Sequence, residues 1–440
     1  MKIVFISPKW EKFPHWPYHL PQLGPLTVAG LTTGDHEIIY VDEFVKPVDF
    51  AMDADLVAVT AMTAQAGRAY EICDEFRKQG RKVIIGGIHP TLLPDEARCH
   101  ADAVVIGEAE AVWGRVCQDL SRGRLDAEYQ ASGTIGEFCV TGKFPRRDLL
   151  QVEGYSRSFD GHRAIDTIQT TRGCIYACEH CNVPALFGRR LRSRPVEDVM
   201  GEMDIVGAKN VFIVDNLIYE NRSYFMKLMD RLEKIEKKWI GVGTLRMADD
   251  PEFVAAMSRS GCAFLYVGFD HLYENTYQSF RDKNLPGHYR EDMKIHDIDY
   301  RQDHVRLTDE YLRNVRILRD AGIGVFGTFA FGFDSDDEAI FERTVDFALA
   351  ADLILADFAI VTPYPKSPLH SRLTQEGRIF DHDWNHYNGC HVVYEPKRMS
   401  ADTLQKGWNW VWERFYEEKT VLRRLCEAFL PKKTREREPQ

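Results

Sequence analysis

The 440-residue chain lacks any excess of positive charge: 56 Lys and Arg stand against 67 Asp and Glu, a formal net charge of -11. A general nucleic-acid binder would carry a basic stripe, so that class is excluded. No stretch approaches the roughly 18 uninterrupted apolar residues of a membrane-spanning helix. The most apolar segment, "FALAADLILADFAIV", is broken by Asp352 and Asp357. The opening "MKIVFISPKW" is too short an apolar run for a signal peptide and has no cleavage site, so it reads as a buried strand of a soluble, cytoplasmic protein. Ten cysteines are too sparse for a disulfide scaffold. Cys73, Cys99, Cys117, Cys139, Cys262, Cys390 and Cys426 are scattered and read as small buried side chains in a reducing compartment.

What remains is globular: 44% hydrophobic and 28% charged residues, in a chain long enough for two or three domains. "KIVFIS", "EIIYVD", "LVAVTA", "KVIIGG" and "AVVIGE" read as strands, with the amphipathic helix "AGRAYEICDEFRKQG" closed by Gly80. Near-continuous Val/Ile runs imply strands covered on both faces, hence a doubly wound parallel sheet over residues 1–125. Ligands of such sheets lie beyond the carboxyl ends of the strands. Those ends carry Ser7 and Pro8; Thr60, Met62 and Thr63; Gly86, Gly87, His89 and Thr91; and Gly107 and Glu108. Residues 126–163 read as a linker between domains.

A second alternation runs over residues 164–369. "AIDTIQT", "NVFIVD", "WIGVGT", "FLYVGF", "GVFGTFAFG" and "DFAIVTP" are strands separated by helical patterns, a partial six-fold βα barrel. Catalytic groups should then stand at the carboxyl ends of these strands. The polar segment 282–306 is a disordered insert or a lid over the site. Residues 370–440 form a helical cap; Trp408, Trp410 and Trp412 cannot share one helical face, so one of them is left to line a pocket or meet a partner.

The first barrel strand leads into "TTRGCIYACEHCNV", which holds Cys174, Cys178 and Cys181. A structural zinc site needs four ligands; His180 could supply the fourth, but no second Cys or His pair follows at ribbon spacing. Three thiolates suit a four-iron cluster, and leave one iron open for chemistry.

That spacing, after the first strand of a six-fold βα pattern, resembles the radical S-adenosylmethionine (SAM) enzymes. The resemblance implies a 4Fe-4S cluster whose open iron chelates the amino and carboxylate groups of SAM. An electron from the cluster then breaks a sulfur–carbon bond, and the 5'-deoxyadenosyl radical abstracts hydrogen. SAM contacts are carried over to Tyr176, His180 (in a usually aromatic position), Asp215 and Asn216 of "VDNLIY", Thr244, Arg246, Gly268, Asp270, Thr328, Phe331 and Thr362. "VDNLIY" departs from the family's glycine-rich stretch, so there Asp215 is the expected acceptor for the ammonium.

The preceding segment, with "LPQLGPLTVAGL" and "GGIHPTLLPDEA", is similar to the cobalamin-binding domain of one radical SAM subclass. The resemblance implies cobalamin on the strand ends named above together with Leu23 and Gly24. Asp-x-His-x-x-Gly is absent, so cobalt would have no histidine ligand from the protein. The implied activity is methylation of an unactivated carbon in a small molecule, with a flavodoxin- or ferredoxin-type electron donor. Ring formation, ring contraction or oxidation on the same architecture is the alternative. A cofactor-binding redox or sensing protein without turnover, and a methylthiotransferase, which carries a second cysteine trio, both fit less well. Tyr289, Arg290, Tyr300, Arg301, Trp384 and Tyr387 are candidate substrate contacts.

Overall fold

The computed structural model describes residues 1–10, 19–130, 142–151, 155, 164–176, 178–269 and 300–417, without the side chains of 300–307. Asp270, Tyr289, Arg290, most of the 282–306 segment and the side chains of Tyr300 and Arg301 therefore lie outside the described residues.

The first sheet is built from β1 (Lys2–Ser7), β2 (Glu37–Asp42), β3 (Leu56–Thr60), β4 (Lys82–Gly86), β5 (Ala103–Ile106) and β6 (Glu128–Gln130). All pairings are parallel, in the order β2-β1-β3-β4-β5-β6. The Val/Ile runs are buried on both sides. Val4, Ile6, Val57 and Ile85 pack against the helix Ala66–Lys78 on one face, while Ile3, Phe5, Leu56 and Ile84 pack against Leu26 and Val116 on the other. Gly80, at φ 77°, ends that helix as its position in the sequence suggests. The sheet continues through β6, beyond the boundary at residue 125; the short "EYQ" run carries too little hydrophobic pattern to show this in the sequence.

The second sheet contains β7 (Ile165–Ile168), β10 (Asn210–Ile213), β11 (Lys238–Gly243), β12 (Cys262–Gly268), β13 (Gly324–Phe331) and β14 (Leu355–Ile360), parallel throughout, in the order β14-β13-β12-β11-β10-β7. A two-stranded antiparallel ribbon, β8 (Thr171–Arg172) with β9 (Arg192–Ser193), stands apart from it. Phe329 and Phe331 pack on Phe347 and Phe341 of the helix Ile340–Ala350. Phe358 packs on Trp412 and Phe415 of the helix Ala401–Phe415. Side chains alternate across a strand, so Thr328, Ala330 and Asp357 face the other way, into the barrel interior. Trp408 and Trp412 both donate their indole N–H to the Phe358 carbonyl, and the exposed tryptophan is Trp410.

The linker is more than a spacer. Arg147, 8% exposed, donates to Asp166 (3.3 Å), to the Thr167 carbonyl (2.5 Å) and to Glu202 (2.6 Å), which Arg194 also reaches at 2.5 Å. Asp166 and Glu202 are 1% and 0% exposed. Among the described residues no helix is long and apolar enough to cross a membrane.

Arg147→Ala removes a buried guanidinium from both Asp166 and Glu202 and leaves Glu202 with Arg194 alone. Removing one partner of such a buried set costs on the order of 3–5 kcal/mol. Urea unfolding should show a loss of about 3 kcal/mol, against which a loss below about 0.5 kcal/mol would count as disagreement.

Candidate functional site

The cysteine loop leaves the carboxyl end of β7 and is stapled at its base. Thr171 pairs with Ser193 and Arg172 with Arg192 across β8 and β9. Asp215, 2% exposed, accepts from the Thr170 amide (2.7 Å), the Thr170 hydroxyl and the Thr171 hydroxyl (2.8 Å). Burial raises its pKa, and these donors oppose the rise. The Asn216 amide donates to the Gly173 carbonyl at 3.0 Å. Gly173 sits at φ 94°, and a Cβ there would lie 2.2 Å from the Arg190 carbonyl oxygen, so glycine is required. Asp215 and Asn216, expected to meet SAM, hold the loop, and both Asp215 oxygens are already engaged there.

Cys174, Cys178 and Cys181 are partly buried and form no disulfide. Burial pushes the Cys174 thiol up to about 11 and raises Cys181 as well, so both would be neutral without a metal. Metal binding draws off such protons. Among the described residues no three His, Cys, Asp or Glu side chains converge closely enough to share one metal ion. In an iron–sulfur cubane each thiolate binds its own iron, and the donor set is all sulfur, as here.

His180 borders a cavity of about 340 Å³ bounded by Gly332 and Phe333 after β13, Val361 after β14, and Glu179, Asp334, Arg372 and Lys397. Its Nδ1 is buried without a partner, and its ring meets Phe333 edge-on at 5.8 Å. An unpaired buried acceptor beside such a cavity suits a heterocyclic ligand with hydrogen-bonding edges. Phe331 does not reach this cavity; it faces the helix side. Thr362 is buried with its hydroxyl on the Ile360 carbonyl.

Inside the barrel, Phe212, Tyr266 and Phe326 stack in sequence at 5.3 and 4.1 Å. Two residues further along these strands, on the same face, runs a polar row. Val267 pairs with Gly243, which sets Thr244 beside Gly268, and the pairing then runs through Thr328 to Asp357. The Thr244 hydroxyl and Asp357 Oδ1 are both buried without partners. Burial raises the Asp357 carboxyl to about 6. Tyr176 donates to Glu220 at 2.6 Å and receives Arg246 at 3.5 Å, joining the cysteine loop to the ends of the second and third strands. The row thus collects Thr244, Gly268 and Thr328 as expected and adds Asp357, which in the sequence shows only as a break in an apolar run.

The second cavity, about 250 Å³ and mainly apolar, lies at the carboxyl ends of β3, β4 and β5. Gly24, Thr60, Gly86, Gly87, Thr91, Gly107 and Glu108 line it. Gly107, at φ 82°, donates its amide to the Thr91 hydroxyl at 3.0 Å. Gln169, Arg172, Leu186 and Phe187 complete the wall from the cysteine-loop side.

Other expected contacts do not line this cavity. Ser7 is fully buried and accepts from Tyr40, while Pro8 takes the Gln65 amide on its carbonyl. Leu23, Met62 and Thr63 do not line the cavity. His89 is fully buried, with Nε2 3.3 Å from Glu96 and its ring against Trp384. Trp384 donates to Glu96 at 3.0 Å and packs on Tyr387, whose hydroxyl reaches the Asp381 carbonyl at 2.8 Å. Trp384 and Tyr387, expected to meet substrate, pack between the C-terminal region and the first sheet.

Comparison with known proteins matches three segments of the chain. Residues 168–348 match the radical SAM superfamily, 16–116 the B12 binding domain, and 367–440 a domain of unknown function, DUF4070. The bacteriochlorophyllide d C-12(1)-methyltransferase of Chlorobaculum tepidum is 28% identical over 92% of this chain and 84% of its own. The C-8(2)-methyltransferase of the same organism is 27% identical over 87% and 82%. The fold is shared with the methyltransferase TsrM of Kitasatospora setae, solved with cobalamin and a [4Fe-4S] cluster: TM-score 0.63, 16% identity, 94% of this chain and 88% of that one.

Gly173→Ala should abolish iron retention after anaerobic reconstitution while leaving far-UV circular dichroism unchanged; full iron content in the variant would refute the loop geometry. Asp357 has its folded pKa raised from 3.8 to about 6. Its stabilising contribution is therefore complete below about pH 4 and is lost as pH rises toward about 6. Asp357→Asn should flatten that part of the stability profile and raise unfolding free energy at about pH 8 by about 2 kcal/mol. An unchanged profile would show that the carboxyl titrates normally.

Proposed function

From a chain that joins a B12-binding domain to a radical SAM domain, we propose a cobalamin-dependent enzyme that methylates an unactivated carbon of a small molecule. The observation that carries this reading is the shared wall. One loop holds the three cysteines and also supplies Gln169, Arg172, Leu186 and Phe187 to the cavity at the first sheet's carboxyl edge. When bound, the cluster supplies the electron that cleaves SAM, and the cobalamin supplies the methyl carrier.

This chain's residues then divide the remaining work. Cys174, Cys178 and Cys181 hold three irons. His180 offers Nδ1 to the adenine side of SAM, and Thr244, Arg246, Gly268 and Thr328 border it from the strand ends. Gly107, at positive φ with open space where a side chain would stand, lets the cobalamin approach the backbone closely, while Gly87 packs its backbone against Thr60 and Ala61. His89, the histidine nearest in sequence to the cavity glycines, is engaged with Glu96 and packed away from it, which supports a cobalt without a histidine ligand. Asp357 faces the barrel interior above the aromatic stack and accepts a donor from the substrate. That the described cysteines form no disulfide suits a reducing compartment such as the cytoplasm. A flavodoxin- or ferredoxin-type protein would deliver the electron.

The named relatives methylate bacteriochlorophyllide d, and a flat macrocycle suits a barrel whose interior presents stacked Phe212, Tyr266 and Phe326. Bacteriochlorophyllide d is therefore the first compound to assay. Anaerobic turnover with methyl-labelled SAM should give labelled product, S-adenosylhomocysteine and 5'-deoxyadenosine together. Product formed with 5'-deoxyadenosine alone would replace methyl transfer by ring chemistry or oxidation. Cys178→Ala should lose the brown colour and all turnover.

A further inference from the structure

The rim of the B12 cavity and the base of the cysteine loop are joined by four charged side chains. Arg172 donates to Glu108 at 2.9 Å and to Glu110 at 2.6 Å. Arg192 donates to Glu108 at 3.0 Å and bonds its second oxygen as well. None of the four side chains is more than 15% exposed. Arg172 and Arg192 are direct partners across β8 and β9, so two guanidinium groups stand side by side on the ribbon that closes the cysteine loop. Like charges so placed repel, and the arrangement holds while the two carboxylates lie against them. Those carboxylates follow Gly107 on the loop after β5, where Glu108 and Glu110 line the cavity together with Arg172. Arg172 in turn is separated from Cys174 by Gly173 alone.

We propose that this clamp links the two cofactor sites energetically, so that filling the B12 cavity and assembling the cluster each favour the other. The inference rests on the cobalamin reading above. A ligand in the cavity packs against the loop bearing Glu108 and Glu110 and holds the carboxylates where the guanidiniums meet them. A cluster on Cys174 fixes Arg172 from the other side. Linkage makes the effect reciprocal, with a typical size of about 5- to 150-fold. The four residues act as positioning residues: they set the loop, and touch no reacting atom in this account.

The test titrates hydroxocobalamin, followed by its absorption, into cluster-free and reconstituted full-length chain. Its Kd should fall about tenfold when the cluster is present, and iron loss to a chelator should slow by a similar factor when hydroxocobalamin is bound. In the Glu108→Gln/Glu110→Gln variant the ratio should drop to about one. Arg172→Lys should reduce it, because one ammonium cannot bridge two carboxylates as a guanidinium does. A purely structural role would weaken both affinities and leave the ratio intact, so an unchanged ratio in a folded variant overturns the proposal. A wild-type ratio of one overturns it without any variant. Failure of hydroxocobalamin to bind in either state would overturn the cobalamin reading itself and this inference with it.

Discussion

Asp215 lies almost fully buried at the carboxyl end of the second barrel strand, and what satisfies it is the turn that opens the cysteine loop. A buried carboxylate without donors costs several kcal/mol, so the Thr170 amide and the two threonine hydroxyls cannot drift from it cheaply. That fixes where the chain departs from the sheet. Gly173 can then take a left-handed turn past Arg190, with Asn216 holding its carbonyl, and the three thiols follow within eight residues. The position of the sulfur donors is thus set by hydrogen bonds around a group that does no chemistry in this account.

The same loop faces two ways. Its outer flank, Arg172 with Leu186 and Phe187, closes the cavity of the first sheet, while His180 borders the cavity at the ends of β13 and β14. Charges hold the domains in this relation at several points. Arg147 from the linker enters the buried carboxylates Asp166 and Glu202, and Trp384 ties the C-terminal region to Glu96. The Arg147 set is strong because it is dry and multiply bonded. A radical reaction between two cofactors needs its partners held at fixed separation, and a set of rigid contacts around one loop meets that need.

Much of this was legible in the residues. Runs such as "KIVFIS" and "NVFIVD" are buried strands because their periodicity leaves no polar face, and the cysteine spacing by itself points to a cluster. Burial and bonding were not legible. Asp215 looked free because spacing cannot show that Thr170 and Thr171 fold back onto it. His89 follows two glycines that do line the cavity, yet its side chain leaves on the opposite side, where Glu96 and Trp384 take it. Arg147 sat in a stretch with a polar pattern, and its partners are 19 and 55 residues away. Asp357 interrupted an apolar run; only strand register shows that it shares a row with Thr328 and Gly268.

The central claim is that three thiolates leave one iron open to SAM beside a cobalamin site. Electron paramagnetic resonance of the reduced, reconstituted chain, with and without SAM, tests it most directly. The account predicts a [4Fe-4S] signal whose g-values shift when SAM is added, because the ligand enters the coordination sphere of the cluster. A signal indifferent to SAM, or reconstituted protein whose three cysteines hold zinc, would contradict it.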